Sequence, residues 1–307
     1  MPSHNLCCCV FAASIESVVE MPTNPVCIVL ACDSNYFFHL RACLDTLAEW
    51  PTSIGYDVKV IGIDLSCDEL RWLRSRGVDV LTDIERFPLF PDAPRHYAAM
   101  TCRPYIPETF PGYRAYMSVD TDIRFLTGEG LDFFLQNALD PDTDLVISHV
   151  TDPSYPFIKN PSHAAERRIS QYDRIRQAYG AETAEYFRYY EIHCAGIFSA
   201  RADSPIWQRY KRNLKKTMPL GAHWCREQDA LNVALVEVGS VKEAPSIYNW
   251  LCIYSVPVRT EDGAWVSPAE RSRKISVAHL LGSGERCHVP GFVGTNYGFY
   301  KQIGLTK

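Results

Sequence analysis

The sequence predicts an α/β protein with a mostly parallel central sheet flanked by helices. In the first part of the chain, short apolar segments at residues 26–31, 58–63 and 78–81 alternate with two amphipathic helical segments. Continuous apolar runs are typical of strands that are buried on both faces. Strands that are separated by helices pair in parallel through right-handed crossovers. We therefore expect these three strands to pair in parallel within one sheet.

The helices of this first part begin after polar residues. Residues 33–35 are Asp, Ser and Asn, which are common capping residues, and a helix is predicted directly after them. A second helix is predicted between residues 63 and 78, and the proline-rich segment 87–94 is predicted to be a loop. The apolar residues of the two helices are Phe38, Leu40, Leu44, Leu47, Leu70 and Leu73.

The second part of the chain continues the alternation. Further strands are predicted at residues 113–119, 144–150 and 195–199. A helix is predicted at residues 162–179, with Gly180 as its end. Its apolar stripe is formed by Ala165, Ile169, Tyr172 and Ile175.

Two more helices are expected toward the end of the chain. Ser204 and Pro205 are in the cap-then-proline order that begins a helix. Another helix begins at residues 227–229, and its buried face is predicted to be Leu231, Leu235 and Val238. The last forty residues are predicted to form turns, with aromatic residues and His279 among them.

Composition and charge are those of a soluble globular protein. The 307 residues are 47% hydrophobic and 22% charged, and the net charge of -5 argues against nucleic acid as the main partner. We predict no transmembrane segment, because no run reaches the roughly 18 apolar residues that a membrane span requires. The twelve cysteines lack the C-x-x-C spacing of zinc sites, so we predict reduced thiols and a cytoplasmic location.

The first residues are expected to lie outside the folded domain. Residues 1–24 are predicted to be a flexible leader, and residues 25–307 a single domain. The leader contains three consecutive cysteines at residues 7–9, for which lipidation is an alternative.

Two aspartates, Asp120 and Asp122, directly follow the apolar strand predicted at residues 113–119. Open α/β sheets bind ligands at the carboxyl ends of their strands, and alternate side chains of an extended segment point the same way. Two adjacent carboxylates repel each other unless a cation neutralises them, and a divalent ion with oxygen ligands can do so. The alternative is a pair of solvated loop aspartates, since Asp-x-Asp is common by chance.

Four segments, taken together and in order, resemble the retaining glycosyltransferases of family eight. They are residues 26–36, 113–125, 227–232 and 279–282, and the resemblance covers about residues 25–290. It implies a single GT-A-type nucleotide-diphospho-sugar transferase domain, like that of galactosyltransferase- and glycogenin-like enzymes. A UDP-sugar donor, Mn(II) or Mg(II), and transfer of a hexose with retention are also implied. The acceptor, whether saccharide, lipid or protein, is not specified.

The resemblance also divides the domain and implies a uridine site. Residues 25–125 would be the nucleotide-binding half, and residues 126–307 the sugar and acceptor half. The segment from Ala31 to Tyr36 resembles the family's uridine loop, in which Tyr36 would stack on the base and Asp33 and Asn35 would make polar contacts. The alternative is that Asp33 caps a helix and Tyr36 is a core residue.

The same resemblance implies a metal and phosphate site. His279 would complete the metal site with Asp120 and Asp122. Arg103 would lie near the carboxylates and phosphates, although a surface ion pair is an alternative. The residues implied to bind the nucleotide are Ala31, Asp33, Asn35, Tyr36, Arg103, Asp120, Thr121, Gly282 and Arg286.

Residues 227–229 resemble the family's acidic-Gln-Asp motif. Gln228 would lie beneath the anomeric carbon of the donor sugar, and Glu227 and Asp229 would hold sugar hydroxyls. The alternative is that both carboxylates are present because they stabilise a helix N-terminus.

Two departures from the family pattern support a second hypothesis. Glu285 stands where the family usually has a lysine, although Arg286 could substitute for it, and Cys194 stands where the family commonly has asparagine. The alternative function is a non-catalytic sugar-nucleotide or glycan-binding protein with the same fold. A nucleotidyltransferase is disfavoured because residues 33–36 are neither glycine-rich nor basic. A phosphatase is disfavoured because its aspartate pair would follow the first core strand.

Overall fold

A seven-stranded mixed sheet forms the centre of the structure, a computed structural model that describes residues 22–155 and 161–280. The strands of the described residues are β1 (Val26–Asp33), β2 (Tyr56–Ile63), β3 (Asp79–Leu81), β4 (Ala115–Val119), β5 (Ile123–Phe125), β6 (Leu145–His149), β7 (His193–Arg201), β8 (Val241–Ala244), β9 (Trp250–Leu251), β10 (Val258–Arg259), β11 (Trp265–Val266) and β12 (Val277–His279). The α-helices are α1 (Phe37–Ala48), α2 (Cys67–Ser75), α3 (Ala98–Thr101), α4 (Ile106–Thr109), α5 (Gly128–Ala138), α6 (Pro161–Tyr179), α7 (Ala181–Phe187), α8 (Ile206–Thr217) and α9 (Arg226–Val236).

The strand order in the central sheet is β3-β2-β1-β4-β7-β6-β8. β1, β2, β3 and β4 are parallel to their neighbours within this group, and β6 and β8 are parallel to each other. β7 is antiparallel to both β4 and β6. The predicted α/β class and the mostly parallel sheet are therefore confirmed, as is the parallel pairing of the first three strands.

The two faces of the sheet are covered by different helices. Along β1, Val26, Ile28 and Leu30 belong to a hydrophobic cluster that contains residues of α1 and α5. Cys27 and Val29 alternate with them and belong to a second cluster, which contains residues of α8 and α9. Side chains of a strand point alternately to the two faces, so an uninterrupted apolar run requires a layer of helices on each side.

The polar residues after β1 form a tight turn rather than the start of α1. The Asp33 carboxylate accepts a hydrogen bond from the Tyr36 backbone N–H at 3.0 Å and caps a 3-10 turn over Ser34–Tyr36. The capping interpretation of Asp33 is therefore correct. The companion interpretation of Tyr36 as a core residue is wrong, because 39% of its surface is exposed.

A small second sheet contains strands that the sequence did not predict. β12 lies between β5, to which it is antiparallel, and β9, to which it is parallel. The prediction of turns in this part of the last forty residues was wrong at Val277–His279. Strands of two or three residues are too short to show a hydrophobic period, so only their pairing identifies them.

Two predictions of buried helix faces are partly wrong. In α6, Ala165 and Ile169 are exposed, whereas Tyr172 and Ile175 pack in a cluster with residues of α7 and α9. Of the predicted stripe, only the residues in the C-terminal half of this helix pack in that cluster. The apolar pattern of the sequence therefore extends further along the helix than the buried surface does. Gly180 ends α6 with a φ of +91°, as predicted. Val238 lies two residues beyond the end of α9 and is half-buried.

Several predictions lie outside the described residues. They are the leader, of which residues 1–21 are not described, and the roles of Gly282, Glu285 and Arg286. In the part of the chain that the structure describes, no helix has the length and apolar character needed to cross a bilayer.

Because β1 is buried on both faces of the sheet, shortening one of its side chains should destabilise the protein. Ile28→Ala should lower the free energy of unfolding by about 2–5 kcal/mol, because Ile28 is fully buried in the central strand. The matched control is Ile169→Ala, at a position that is 61% exposed, which should change it by less than about 0.5 kcal/mol. Urea unfolding of both variants measures the difference. Equal losses would contradict the sheet arrangement.

Candidate active site

The structure brings Asp120, Asp122 and His279 together at the carboxyl end of β4. One ligand atom from each side chain lies within 4.8 Å of the other two. His279 Nε2 is 3.3 Å from Asp122 Oδ1 and 3.8 Å from Asp120 Oδ2. Asp122 and His279 are buried, and Asp120 is half-buried. The arrangement is open at Asp120, where a ligand can approach.

The small second sheet is what places His279 beside the aspartates. β12 pairs with β5 so that His279 lies opposite Ile123. The Leu280 backbone N–H donates to the Asp122 carbonyl oxygen at 3.0 Å. Backbone hydrogen bonds thus hold together the two chain segments that form the site. Asp122 and His279 are 157 residues apart in the sequence.

Gly196 in β7 makes room for the imidazole. A Cβ atom at this position would lie 2.2 Å from His279 Cε1 and 2.8 Å from its Nδ1, a separation that no side chain can have. The Gly196 carbonyl oxygen also accepts the Asp120 backbone N–H at 2.7 Å. The role of Gly196 was not predicted from the sequence, since only the fold shows that the ring of His279 lies against it.

Two buried side chains fix the orientation of the imidazole. His279 Nδ1 is 3.1 Å from Asn249 Oδ1 and 3.6 Å from Cys194 Sγ. We infer that Nδ1–H donates to Asn249, which directs Nε2 toward the carboxylates. Burial alone lowers the pKa of His279, but the adjacent Asp122 carboxylate raises it well above its usual range. A cation bound at Nε2 of His279 would replace the proton that the imidazolium carries on this nitrogen, and it would leave the contact of Nδ1 with Asn249 intact.

The buried Arg103 connects the aspartate pair to helix α9. Its Nη2 forms an ion pair with Asp120, and its Nη1 donates to Glu227 Oε2 at 2.6 Å. Arg103 is only 7% exposed, so the surface ion pair considered from the sequence is wrong. Burial opposes its charge, but the Asp120 and Glu227 carboxylates raise the pKa of Arg103 above its ordinary value.

Glu227 is a buried acid with one unused oxygen. It is 2% exposed, and its Oε1 has no hydrogen-bond partner among the residues described. Burial raises the pKa of Glu227 to about 7, although Arg103 acts in the opposite direction. Burial likewise raises the pKa of Asp120, opposed by Arg103 and reinforced by Asp122. The site is therefore short of positive charge and can accept a cation.

Gln228 and Asp229 occupy different environments at the start of α9. Gln228 is half-buried, and its Oε1 accepts the Ala195 backbone N–H at 3.3 Å. Asp229 is buried, and its two oxygens accept from Arg174 Nε and Nη2 at 2.7 and 3.0 Å. Burial raises the pKa of Asp229, against the effect of Arg174. Asp229 thus has an arginine partner, as Glu227 does, in addition to its favourable position at a helix N-terminus.

A fully buried arginine supports the loop between the two aspartates. Arg124 Nη1 donates to the Thr121 and Ile123 carbonyl oxygens at 3.0 and 2.6 Å, and Nη2 is 3.2 Å from His39 Nδ1. Burial lowers the pKa of His39 to about 4, so its neutral ring accepts this bond. The side chain of Thr121 is buried. The sequence signal for this support was a charged residue within the apolar strand β5.

An open groove of about 330 Å³ lies at the end of β1. The residues that line it are Asp33, Ser34, Asn35, Ile63, Asp64, Arg95 and His96. Asp64 has a φ of +52°, which is uncommon for a residue with a side chain, and its carboxylate pairs with Arg95. The groove residues that follow β2 and β3 were not predicted from the sequence.

Ala31 lies between this groove and the aspartate pair. It lines a small void of about 10 Å³ together with Arg103 and Asp120, and it precedes Asp33 by two residues in β1. Because β1 and β4 are adjacent parallel strands, the groove and the acidic cluster lie at the same edge of the sheet. That edge is where open α/β sheets bind their ligands.

Solved structures with a similar fold are glycosyltransferases. The galactosyltransferase LgtC in complex with donor and acceptor sugar analogues has a TM-score of 0.55 and 16% identity, covering 91% of this chain and 95% of that chain. An active-site mutant of LgtC has a TM-score of 0.55 and 15% identity, covering 92% of this chain and 97% of that chain. The apo structure of WbbM, a bifunctional glycosyltransferase, has a TM-score of 0.55 and 15% identity, covering 91% of this chain and 52% of that chain. No protein-family model matches the chain, and no curated protein matches it by sequence.

The chain therefore has the GT-A fold of glycosyltransferases, as the sequence predicted. At this level of identity the likeness establishes the fold, and the activity has to be argued from the site.

The raised pKa of Glu227 predicts a pH-dependent stability. With a chelator present, wild type should lose stability relative to Glu227→Gln as the pH rises from about 4.5 to about 7. In that window the folded protein keeps the Glu227 proton and the unfolded chain releases it, so unfolding becomes easier with rising pH. The expected change is on the order of 3 kcal/mol.

Urea unfolding at a series of pH values measures this difference. The control is Glu191→Gln, which removes an exposed carboxylate and should follow the wild-type pH profile. Parallel profiles for wild type and Glu227→Gln would show that Glu227 ionises normally in the folded protein.

Proposed function

We propose that this protein is a metal-dependent glycosyltransferase that moves a hexose from a UDP-sugar to an acceptor. The observation that carries the proposal is the convergence of Asp120, Asp122 and His279 beside the open groove at residues 33–36, in a chain with a glycosyltransferase fold. In this proposal residues 25–125 are the nucleotide-binding half and residues 126–307 the sugar and acceptor half of a single domain. Retention of the anomeric configuration is proposed from the resemblance to family eight.

The proposed metal is Mn(II) or Mg(II), held by Asp120, Asp122 and His279. Two carboxylates and one imidazole suit these ions, which prefer oxygen ligands and accept a nitrogen in the case of manganese. Gly196 and Asn249 keep the imidazole in the orientation that such binding requires. The ion would neutralise negative charge on the diphosphate as UDP departs.

The proposed nucleotide site extends from this metal along the end of β1. The exposed ring of Tyr36 is available to stack on uracil, and Asp33 and Asn35 offer polar atoms in the groove. Ala31, Thr121, Gly282 and Arg286 are assigned to the nucleotide from the resemblance.

Arg103 has a more specific role in this proposal. Its guanidinium already binds two carboxylates, so we assign it to positioning Asp120 and to balancing charge near the diphosphate. The fixed planar fork of an arginine suits such a bridge better than the single ammonium of a lysine.

The proposed sugar site lies at the start of α9. Gln228 would face the anomeric carbon, since its half-buried amide reaches back to Ala195 of β7. Glu227 would accept a hydrogen bond from a sugar hydroxyl at its Oε1, which has no hydrogen-bond partner among the described residues. Asp229, held by Arg174, would contact a second hydroxyl or stabilise the helix start beneath it.

A saccharide acceptor is proposed first, because LgtC is a galactosyltransferase solved with an acceptor sugar analogue. Lipid and protein acceptors remain alternatives. All cysteines of the described residues are free thiols, which fits the cytoplasmic location expected from the sequence.

Metal-dependent nucleotide binding tests the core of the proposal. Asp122→Asn should reduce the affinity for UDP in the presence of Mn(II) by at least about tenfold, because it removes a charged ligand and about 1.4 kcal/mol or more of binding free energy. Isothermal titration calorimetry with and without Mn(II) measures this. The matched control, Asp203→Asn, alters an aspartate whose side chain is 81% exposed, and should bind UDP like wild type. Unchanged UDP binding by Asp122→Asn would contradict the proposed site.

The second candidate function is a non-catalytic binder of sugar nucleotides or glycans. Cys194 favours it, because this side chain contacts His279 and replaces the amide that the family commonly has there. A binder and an enzyme differ in turnover, not in affinity.

A hydrolysis assay separates the two candidates. With Mn(II) and no acceptor, we expect wild type to release free sugar slowly from at least one UDP-sugar of a panel. Gln228→Ala should reduce this release at least about tenfold while UDP affinity changes less than about threefold, because Gln228 belongs to the proposed sugar site and not to the metal site. Tight binding of a UDP-sugar without any turnover would support the binder instead.

A further inference from the structure

A second group of ligating side chains lies on the other face of β7 from His279. It consists of His149, His193 and Glu243, and one ligand atom from each lies within 4.8 Å of the other two. His193 directly precedes Cys194, whose sulfur contacts His279. Consecutive residues of a strand point to opposite faces of the sheet, so the two groups are separated by the sheet itself.

The register of three strands assembles this group. His149 is the last residue of β6 and lies opposite His193, the first residue of β7, with ring centroids 4.4 Å apart. Glu243 of β8 pairs with Ile147 of β6, two residues before His149 and therefore on the same face. An irregularity in the β6–β7 pairing after Ile147 is what brings His193 opposite His149.

The carboxylate of Glu243 faces both imidazoles. His149 Nε2 is 2.8 Å from Glu243 Oε2, and His193 Nε2 is 3.6 Å from Glu243 Oε1. The two Nε2 atoms therefore point to one carboxylate from two strands. Glu243 is 55% exposed and His149 30% exposed on the side-chain surface, so an ion from solvent can reach the group.

His193 indicates that the group lacks a ligand. Its side chain is 1% exposed, its Nε2 reaches Glu243 only at 3.6 Å, and neither ring nitrogen has a partner within hydrogen-bonding distance among the described residues. A buried polar atom without a close partner is destabilising. The contact between His149 and Glu243 does not satisfy His193 Nε2, whereas a cation bound there would.

We propose that His149, His193 and Glu243 bind a zinc ion, with water in the remaining position. Two imidazoles and one carboxylate form a ligand set that suits Zn(II), whereas Mg(II) and Ca(II) prefer all-oxygen sites. The nearby aromatic ring of Tyr190, with a centroid 5.9 Å from that of His193, limits solvent on the buried side. This site does not depend on the proposed glycosyl transfer.

Zinc at this position would connect the sheet edge to α9. The His193 backbone N–H donates to Asn232 Oδ1 at 2.8 Å, and its carbonyl oxygen accepts from Asn232 Nδ2 at 2.9 Å. Asn232 belongs to α9, whose first turn contains Glu227 and Gln228. The ion would therefore hold β6, β7 and β8 together and fix the strand against which this helix packs.

Zinc binding to the full chain tests the proposal. The chelator-treated protein is titrated with Zn(II) against a chromophoric zinc chelator, in excess Mg(II) to occupy oxygen-rich sites. We expect Glu243→Gln and His149→Gln each to weaken Zn(II) binding at least about tenfold. The matched control Glu191→Gln removes a neighbouring exposed carboxylate and should bind like wild type. Asp122→Asn should also retain this zinc, which separates the test from the proposed function.

Two further measurements complete the test. Melting temperatures of the metal-free proteins show whether the variants are folded, and Zn(II) should raise the melting temperature of wild type but not of Glu243→Gln. Co(II) bound in place of zinc should give the visible absorption of a four- or five-coordinate site in wild type but not in Glu243→Gln. The proposal is overturned if wild type binds no Zn(II), if folded Glu243→Gln and His149→Gln bind it as tightly as wild type, or if Asp122→Asn alone abolishes binding.

Discussion

The ion pairs of Arg103 with Asp120 and Glu227 are the interaction on which the site depends. This guanidinium joins the end of β4 to the start of α9, where the Glu227 carboxylate is buried and the Asp120 carboxylate is half-buried. Removing the cation would leave the buried Glu227 without compensation, a change that typically costs several kcal/mol. Even with Arg103 present, burial keeps the pKa values of Glu227 and Asp120 raised. The remaining negative charge is what a divalent ion would neutralise.

The geometry of the site is set by short elements that make few contacts of their own. The pairing of β5 with β12 brings His279 to Asp122, Gly196 leaves space for the ring, and Asn249 orients it. Together these three contacts restrict where the imidazole of His279 can lie. Such mutual constraint preorganises a ligand site before its ion or substrate arrives.

Strand β7 connects the two proposed ion sites. Its Cys194 contacts His279 on one face, and its His193 faces Glu243 on the other. β7 is also the strand that is antiparallel to both neighbours, and the irregular pairing with β6 occurs within it. Consecutive residues of a strand point to opposite faces, which is how one strand can supply both sites, and the break in the register sets His193 opposite His149.

Patterns in the amino-acid sequence were enough to predict the α/β class, the parallel pairing of β1 to β3, and the position of the two aspartates at a strand end. These features follow from local patterns, because a strand buried on both faces must be apolar throughout. The proximity of His279 to the aspartates was reached from the family resemblance, since no local pattern relates residues so far apart. The folded chain was needed to show the pairing of β5 with β12, the need for glycine at position 196, the burial of Arg103, and the proximity of His149, His193 and Glu243. These features depend on the register and packing of segments that are distant in the sequence. Strands of two or three residues are too short for a periodic hydrophobic pattern that would predict their pairing.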